Sequence, residues 1–306
     1  MTNRPTLTAI VCNRNHAAYL PRALAAILSQ SPSFDQIIIV DDASTDESVS
    51  VIQSLGKEHP NFLFIRQHEQ RGATISAAAA LQKAEGDYVG WFAADDHIMP
   101  GFTSRALALL ESHPGLGVIA GEVDFAQADG DGHVTREYRY DLSADRILSP
   151  EEVFHWMQRK YLWLPAYAAL VKRDLLLQLG GWLRELDWFS DWYPVQMAAY
   201  MGGAGLIASP MAKIYENENS DGQRGRHTPA RRDAALDALL NLLNRAENLE
   251  FRRKARAAPA LIFVPFSYPI LHRLIRRPSD WDLMVAILCM LAYNFTRHRL
   301  KRLIKI

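Results

Sequence analysis

Two adjacent acid pairs, Asp41-Asp42 and Asp95-Asp96, each follow an apolar run ending in Val40 or near Phe92, and a third acid, Asp191, stands before Trp192. Neighbouring carboxylates repel, so holding two together is costly unless a cation or a donor-rich ligand compensates them. Hard oxygen donors of this kind select Mg²⁺ or Mn²⁺ over Zn²⁺. Each acid also has a purely local use. Asp41-Asp42 beside Ser44, and Asp95-Asp96 before Pro100-Gly101, suit turns and helix entries. Asp191 suits a helix N-cap, with Pro194 tolerated in the first turn. The two uses are compatible, because a capping acid can still face a pocket.

Absences narrow the chemistry. The turn Cys12-Asn13-Arg14-Asn15-His16 lacks glycine, so the dinucleotide fingerprint is missing, and the chain has no P-loop, His-Glu-x-x-His or Gly-x-Ser-x-Gly. Gly202-Gly203-Ala204-Gly205 follows a helical run and reads as a C-cap and loop. Dinucleotide-dependent hydride transfer, P-loop chemistry and triad hydrolysis are disfavoured.

The elements that must position the acids follow from hydrophobic period. Leu7–Cys12, Gln36–Val40, Phe62–Gln67 and Asp87–Phe92 read as buried strands. Between them, Tyr19–Gln30 places Leu20, Leu24, Ile27 and Leu28 on one helical face, Ser44-Thr45-Asp46-Glu47 has a capping-box pattern, and Gly72–Ala84 reads as a third helix. Strand ends near 12, 40, 67 and 92 recur every ~25–28 residues, as successive βα units of a mainly parallel sheet do. In open α/β sheets ligands bind beyond the carboxyl ends of the strands, which is where both acid pairs fall. Residues 115–150, with Asp129-Gly130-Asp131-Gly132 between short runs, read as a β-hairpin beside that sheet. Asn217–Pro229 reads as a mobile loop, and Ala234–Leu249 as an amphipathic helix burying Leu236, Leu239, Leu240 and Leu243.

The 306 residues, 49% hydrophobic and 22% charged, suffice for one large or two modest domains with a sizeable core. Two cysteines, Cys12 and Cys289, make no disulfide framework. Met1–Pro5 runs straight into a strand-like segment, which gives the expectation of no secretory signal and a cytoplasmic location. The formal net charge is +0, yet residues 1–221 carry 17 Lys+Arg against 28 Asp+Glu, and residues 222–306 carry 17 against 6. A boundary near residue 220 is therefore expected, with a basic C-terminal part meeting something anionic. Leu261–Leu271, broken by Pro265 and Pro269, and Leu283–Tyr293 are each shorter than the ~20 residues of a spanning helix. Cations follow both: Arg273, Arg276 and Arg277, then Arg297, Arg299, Lys301, Arg302 and Lys305. Apolar runs with basic flanks are expected to lie on an anionic membrane surface, at the cytoplasmic face. A helical pair packed on the body, or a short inserted hairpin, would show the same pattern.

The ensemble resembles family 2 glycosyltransferases of the GT-A fold. The resemblance is carried by Asn15-His16-Ala17-Ala18-Tyr19-Leu20-Pro21, Ile38-Ile39-Val40-Asp41-Asp42-Ala43-Ser44-Thr45-Asp46, Ala84-Glu85-Gly86-Asp87-Tyr88-Val89 and Ala94-Asp95-Asp96 with Pro100-Gly101. Further on, Lys172-Arg173-Asp174-Leu175, Leu179-Gly180-Gly181-Trp182 and Ser190-Asp191-Trp192 are similar to the family's acceptor-side motifs. It covers about residues 5–220, with residues 221–306 as a basic helical extension outside it. The resemblance implies an α/β Rossmann-like fold, a nucleotide-sugar donor and an inverting transfer to a glycan or lipid-linked acceptor in cell-surface polysaccharide synthesis. Nucleic acid is not an implied partner. By the same resemblance, Asp42 contacts the nucleobase with Asn13 and Asp41 nearby, and Asp95 and Asp96 match the metal-binding Asp-x-Asp region. Asp96 would ligate Mn²⁺ or Mg²⁺ directly, Asp95 would face the ribose or the metal shell, and Asp191 matches the catalytic base.

The sequence departs from the family pattern at Ala93, where many relatives carry the first Asp, and at Ala77-Ala78-Ala79, which replaces a common Ala-Arg-Asn run. Arg71, Arg14, Arg224, Arg226 or His227 could replace the lost cation near the diphosphate. Trp188 and Trp192 flank Asp191 and are expected to line the acceptor site, since aromatic faces stack on sugar rings. A nucleotidyltransferase also uses acid pairs and a metal, but the phosphate loop it needs is missing. A GT-A-like scaffold without turnover would explain Ala93 and Ala79, and the presence of Asp95, Asp96 and Asp191 argues against it.

Overall fold

A computed structural model describes residues 4–127, 133–216, 224, 225, 227–259, 262 and 268–303. At its centre lies one mixed sheet in the order β3-β2-β1-β4-β9-β6-β10-β5, with β7 on β6 and β8 on β10. The first four strands are β1 (Leu7–Asn13), β2 (Gln36–Asp42), β3 (Phe62–Gln67) and β4 (Tyr88–Ala93), all mutually parallel. Helices α1 (Leu20–Leu28), α2 (Ser48–Gly56) and α3 (Ala73–Leu81) connect them, giving the βα units that the spacing implies. The strands are apolar almost throughout, as a sheet covered on both faces requires. One expected detail does not form. The N-cap of α2 is Glu47 without a side-chain cap bond; Asp46 instead accepts the amides of Ser48 (3.0 Å) and Ala17 (3.0 Å), tying the helix entry to the β1–α1 turn.

Beyond β4 come β5 (His97–Ile98), α4 (Phe102–Ser112), β6 (Val118–Gln127), β7 (Val134–Tyr138), β8 (Arg146–Leu148), α5 (Pro150–Arg159), β9 (Ala169–Lys172), α6 (Arg173–Gln178), α7 (Trp192–Gly202) and β10 (Ala204–Glu216). The hairpin expected beside the sheet is β6–β7, but β6 is an interior strand, between antiparallel β9 and parallel β10. Its turn residues 128–132 lie outside the described residues, as do 217–223 and Arg226 of the expected loop and Lys305 of the tail. Helix α7 lies directly on the main chain entering β6. The Gly117 amide donates to the carbonyls of Gly202 (3.1 Å) and Gly203 (3.2 Å), and a Cβ on Gly117 would come 1.9 Å from the Ala198 oxygen.

Among the described residues, four further α-helices close the fold: α8 (Pro229–Leu243), α9 (Leu249–Ala257), α10 (Tyr268–Ile275) and α11 (Trp281–Leu303). The expected apolar face of α8 is buried, and Leu236, Leu239, Leu240 and Leu243 join one cluster with Ile10, Ile38 and Val40 of the sheet. Ile270, Leu274, Leu283 and Ile287 belong to the same cluster, so the apolar core continues past residue 220 although the charge changes there. On α11, Leu283 and Ile287 point inward at 0% exposure. Trp281 (49%), Val285 (55%) and Leu288 (48%) follow helical spacing on the opposite face, with Tyr293 (66%) beyond them. Among the described residues no helix is long and apolar enough to cross a membrane.

Asp280, fully buried, staples these helices together. It accepts from Asn244 Nδ2 (2.9 Å), Arg252 (2.8 Å) and Arg277 Nε (2.7 Å). Burial alone would raise its pKa, but the hydrogen bonds from Arg277, Asn244 and Arg252 outweigh burial and hold it below the ordinary value. A carboxyl whose folded pKa is depressed adds stability that is present above the unfolded value of about 3.9 and is lost as pH falls through the folded one. Asp280→Asn therefore costs about 1.5–3 kcal/mol at neutral pH, because Arg252 and Arg277 lose a buried carboxylate partner while keeping Asp282 and Asp237. Thermal melts should show that deficit at pH 7, shrinking as the pH drops below about 3.9.

Candidate active site

Strand register levels the site. In the parallel trio β2-β1-β4, Asn13 lies opposite Asp41, and Cys12 lies opposite both Val40 and Ala93. Adjacent strands are about 4.8 Å apart, so the ends of β2 and β4 are about 10 Å from each other. Both acid pairs leave the sheet at this one edge.

The first pair is spent on building the edge. Asp41 is sealed, its oxygens accepting Asn13 Nδ2 (2.8 Å), Ser44 Oγ (2.5 Å) and the Ser44 amide (3.0 Å). Asp42 accepts the amides of Arg71 (2.6 Å) and Gly72 (2.8 Å), clamping the entry of α3. Asp41 is thus buried at the end of β2 and Asp42 is engaged by main-chain amides, both beside Asn13, where nucleotide contacts are expected. Asn13 keeps one open function: its buried Oδ1 has no hydrogen-bond partner among the described residues. Arg14 donates to the carbonyls of Asp42 (2.7 Å) and Ala43 (3.2 Å), which pins its charge at the same edge. The Arg71 and Arg224 side chains are exposed.

The second pair is less well compensated. Asp95 is half-buried, and its carbonyl receives Arg22 (2.5 Å). Asp96 is buried, with Oδ1 accepting the Tyr215 amide at 2.9 Å. Burial, then the charge of Asp95, pushes the Asp96 carboxyl well above its ordinary range, and the Tyr215 amide and Arg22 offset this only in part. Arg22 is itself seated 3.6 Å over the Tyr215 ring. No group of three His, Cys, Asp or Glu that could hold a metal occurs among the described residues. A pair of carboxylates still fits Mg²⁺ or Mn²⁺, ions that commonly take one or two protein carboxylates and complete their shell from phosphate oxygens and water. The under-compensated charge on Asp96 is what such an ion would relieve.

Asp191 stands at the start of α7, half-buried, and its carboxylate makes no capping bond. Ser190 beside it approaches Thr74 of α3, oxygen to oxygen at 3.3 Å. Asp42, the α3 entry, Thr74, Ser190 and Asp191 thus form one contact path from the acid edge to the third acid. The aromatic neighbours divide. Trp192, expected to line the acceptor site, is a core residue: it is 5% exposed, stacks on Phe189 at 4.6 Å and donates to the Tyr161 hydroxyl at 3.2 Å. Trp188 is half-buried, edge-on to Phe189 at 5.2 Å. Arg22, Tyr215 and Thr74 were not legible as neighbours of these acids and of Ser190, because only the fold brings these separate segments together.

Comparison with known proteins accords with this arrangement. The model of the glycosyl transferase family 2 matches residues 8–176. A putative teichuronic acid biosynthesis glycosyltransferase, TuaG of Bacillus subtilis, is 32% identical over 31% of this chain and 38% of its own length. A GalNAc(5)-diNAcBac-PP-undecaprenol beta-1,3-glucosyltransferase of Campylobacter jejuni is 30% identical over 34% of each chain. These matches span little more than a third of the relatives' length. In fold, the chain is similar to S. aureus TarS 1-349, solved in complex with UDP-GlcNAc, with a TM-score of 0.67 at 16% identity, covering 92% of this chain and 78% of that one. With more than half of its length matched by the family model, the chain belongs to glycosyl transferase family 2.

Proposed function

We propose that this protein moves a sugar, with inversion, from a nucleotide-sugar donor to a hydroxyl of a glycan or lipid-linked acceptor in cell-surface polysaccharide synthesis. The observation that carries the reading is that both acid pairs stand at the carboxyl ends of β2 and β4, where Asp96 accepts a single amide, while Ser190, next to Asp191, reaches the helix whose entry Asp42 clamps. The names of the B. subtilis and C. jejuni relatives support a cell-surface, lipid-linked acceptor. The UDP-GlcNAc bound to the TarS fold supports a nucleotide-sugar donor.

The donor base lies toward Asn13, whose unpartnered Oδ1 can accept a base N–H, within the wall built by Asp41 and Asp42. The diphosphate lies toward Asp95 and Asp96, with Arg71 and Arg14 as nearby cations. Asp96, with Asp95 beside it, would hold Mg²⁺ or Mn²⁺, which when bound neutralises the charge growing on the leaving diphosphate. The Asp191 carboxylate takes the proton of the acceptor hydroxyl. That oxygen bonds to the anomeric carbon while the bond from this carbon to the diphosphate oxygen breaks on the opposite face. No acid is needed for the leaving group, so one carboxylate suffices. Trp188 is the aromatic residue of the pair able to border the acceptor.

The exposed face of α11 supports a peripheral position on an anionic membrane surface, at its cytoplasmic side. Trp281, Val285 and Leu288 would lie among headgroups, and exposed Arg276, shortly before α11, supplies a cation for them. Deleting these helices would also strip buried Ile270, Leu274, Leu283 and Ile287, so surface substitutions make the cleaner test.

Three outcomes are expected. Asp191→Asn should lower turnover by about 10²–10⁴-fold with donor affinity unchanged, measured by nucleotide release; unaltered turnover would remove Asp191 as the base. In a thermal-shift panel of UDP-, GDP-, CMP- and dTDP-linked sugars, one nucleotide should stabilise the chain by ~2.7 kcal/mol at a hundredfold excess over its Kd. Mn²⁺ should strengthen that shift, and Asp96→Asn should cancel the Mn²⁺ increment. Trp281→Ser combined with Leu288→Ser should reduce co-sedimentation with phosphatidylglycerol vesicles without lowering the melting temperature, and undiminished binding would refute the assigned face.

A further inference from the structure

The turn that precedes Asp191 contains a residue in an unfavourable backbone conformation. Residues Arg184–Phe189 form a short 3-10 segment interrupted at Asp187, where φ is 53° and ψ is −128°. This is a region that side-chain-bearing residues rarely enter and that glycine occupies freely. Such conformations persist only where the surroundings over-determine them, and they gather at functional sites. Here the surroundings are identifiable. Arg231, in the first turn of α8, reaches the Asp187 carboxylate with two nitrogens, Nε at 2.7 Å and a terminal nitrogen beside it. This fork fixes direction as well as distance, which a single point contact does not. A second pair, Arg245 to Glu185 at 3.6 Å, ties the same turn to the end of α8. The helix itself is rigidly held, through buried Leu236, Leu239, Leu240 and Leu243 and through Arg273 on Asp237 at 3.1 Å.

The kink has direct consequences for its neighbours. The Asp187 carbonyl accepts the Ser190 amide at 3.1 Å, so the bend closes on the residue preceding Asp191. On its other side is Trp188, lying against the main chain of Gly225, where an added Cβ would come 2.4 Å from the indole Cδ1. Trp188 and Asp191 therefore take their directions from one bend. We propose that Arg231 is a positioning residue: its two-point grip holds Asp187 in this conformation and thereby aims Asp191. The C-terminal helices, outside the segment matched by the family model, would thus be part of the catalytic apparatus. The functional consequence rests on the reading of Asp191 as the base, whereas the grip itself does not.

Hydrogen exchange across residues 184–191 in the full chain tests the grip without any substrate. Arg231→Met should speed exchange in this segment by about tenfold, while α8 and the sheet keep their protection. Arg231→Lys, which keeps the charge but loses the fork, should fall between. Adding Asp187→Gly to Arg231→Met should restore most of the protection, because glycine holds the bend without help. Unchanged exchange in both Arg231→Met and Arg231→Lys would overturn the proposal, as would a glycine double variant no better than Arg231→Met. With the donor that the wild-type chain turns over, Arg231→Met should lower kcat about tenfold at a donor KM within about twofold, and the glycine double variant should regain kcat. If Asp191→Asn abolishes turnover while Arg231→Met leaves it intact, the positioning role fails and the base stands. If Asp191→Asn is silent, the base fails, and exchange still decides the grip.

Discussion

A carboxylate removed from water needs a partner, and the edge of this sheet is organised around that requirement. The acids placed there meet it in different ways. Asp41 is enclosed by Asn13 and Ser44, and Asp42 by two main-chain amides, so these two are settled within the protein. Asp96 receives one amide and the field of Arg22 and remains biased toward its protonated form. The settled acids shape the wall, and the unsettled one marks where a ligand's positive charge is wanted. This division follows from hydrogen-bond counting alone.

The third acid is positioned by the packing of its neighbours. Asp191 precedes α7, and α7 is seated on the chain entering β6 through the glycine contact at 117 and 202. Its other restraint is the contact of Ser190 with Thr74, on the helix whose entry Asp42 clamps. A single carboxylate on β2 thus shapes the donor-side loop and supports the turn that carries the proposed base. Parallel βα architecture makes this possible, because the ends of β1, β2 and β3 and the starts of α1, α2 and α3 lie at the same edge.

Much of this was legible in the sequence. Apolar runs bounded by polar segments, two of them by acid pairs, gave β1 to β4 nearly to the residue, and the spacing of their ends gave the parallel order. Local signals served less well where tertiary contacts compete with them. The capping-box pattern at Ser44–Glu47 lost to the Ala17 and Ser48 amides on Asp46. Trp192, adjacent to Asp191 in sequence, turns into the core because its helix is buried on nearly every side. The apolar run on α11 was legible as short and flanked by cations, but its division into an inward and an outward face came only from the packing of Leu283 and Ile287.

The central claim is that Asp96 and Asp191 serve one bound nucleotide-sugar from a shared cleft. A crystal structure of the full chain with the nucleotide chosen by thermal shift, and with Mn²⁺, tests it most directly. The account predicts the ion on Asp96 and the diphosphate, with the Asp191 carboxylate facing the position of the anomeric carbon across the same cavity. A nucleotide bound elsewhere on the chain, or an Asp191 that opens into a separate cavity, would contradict it.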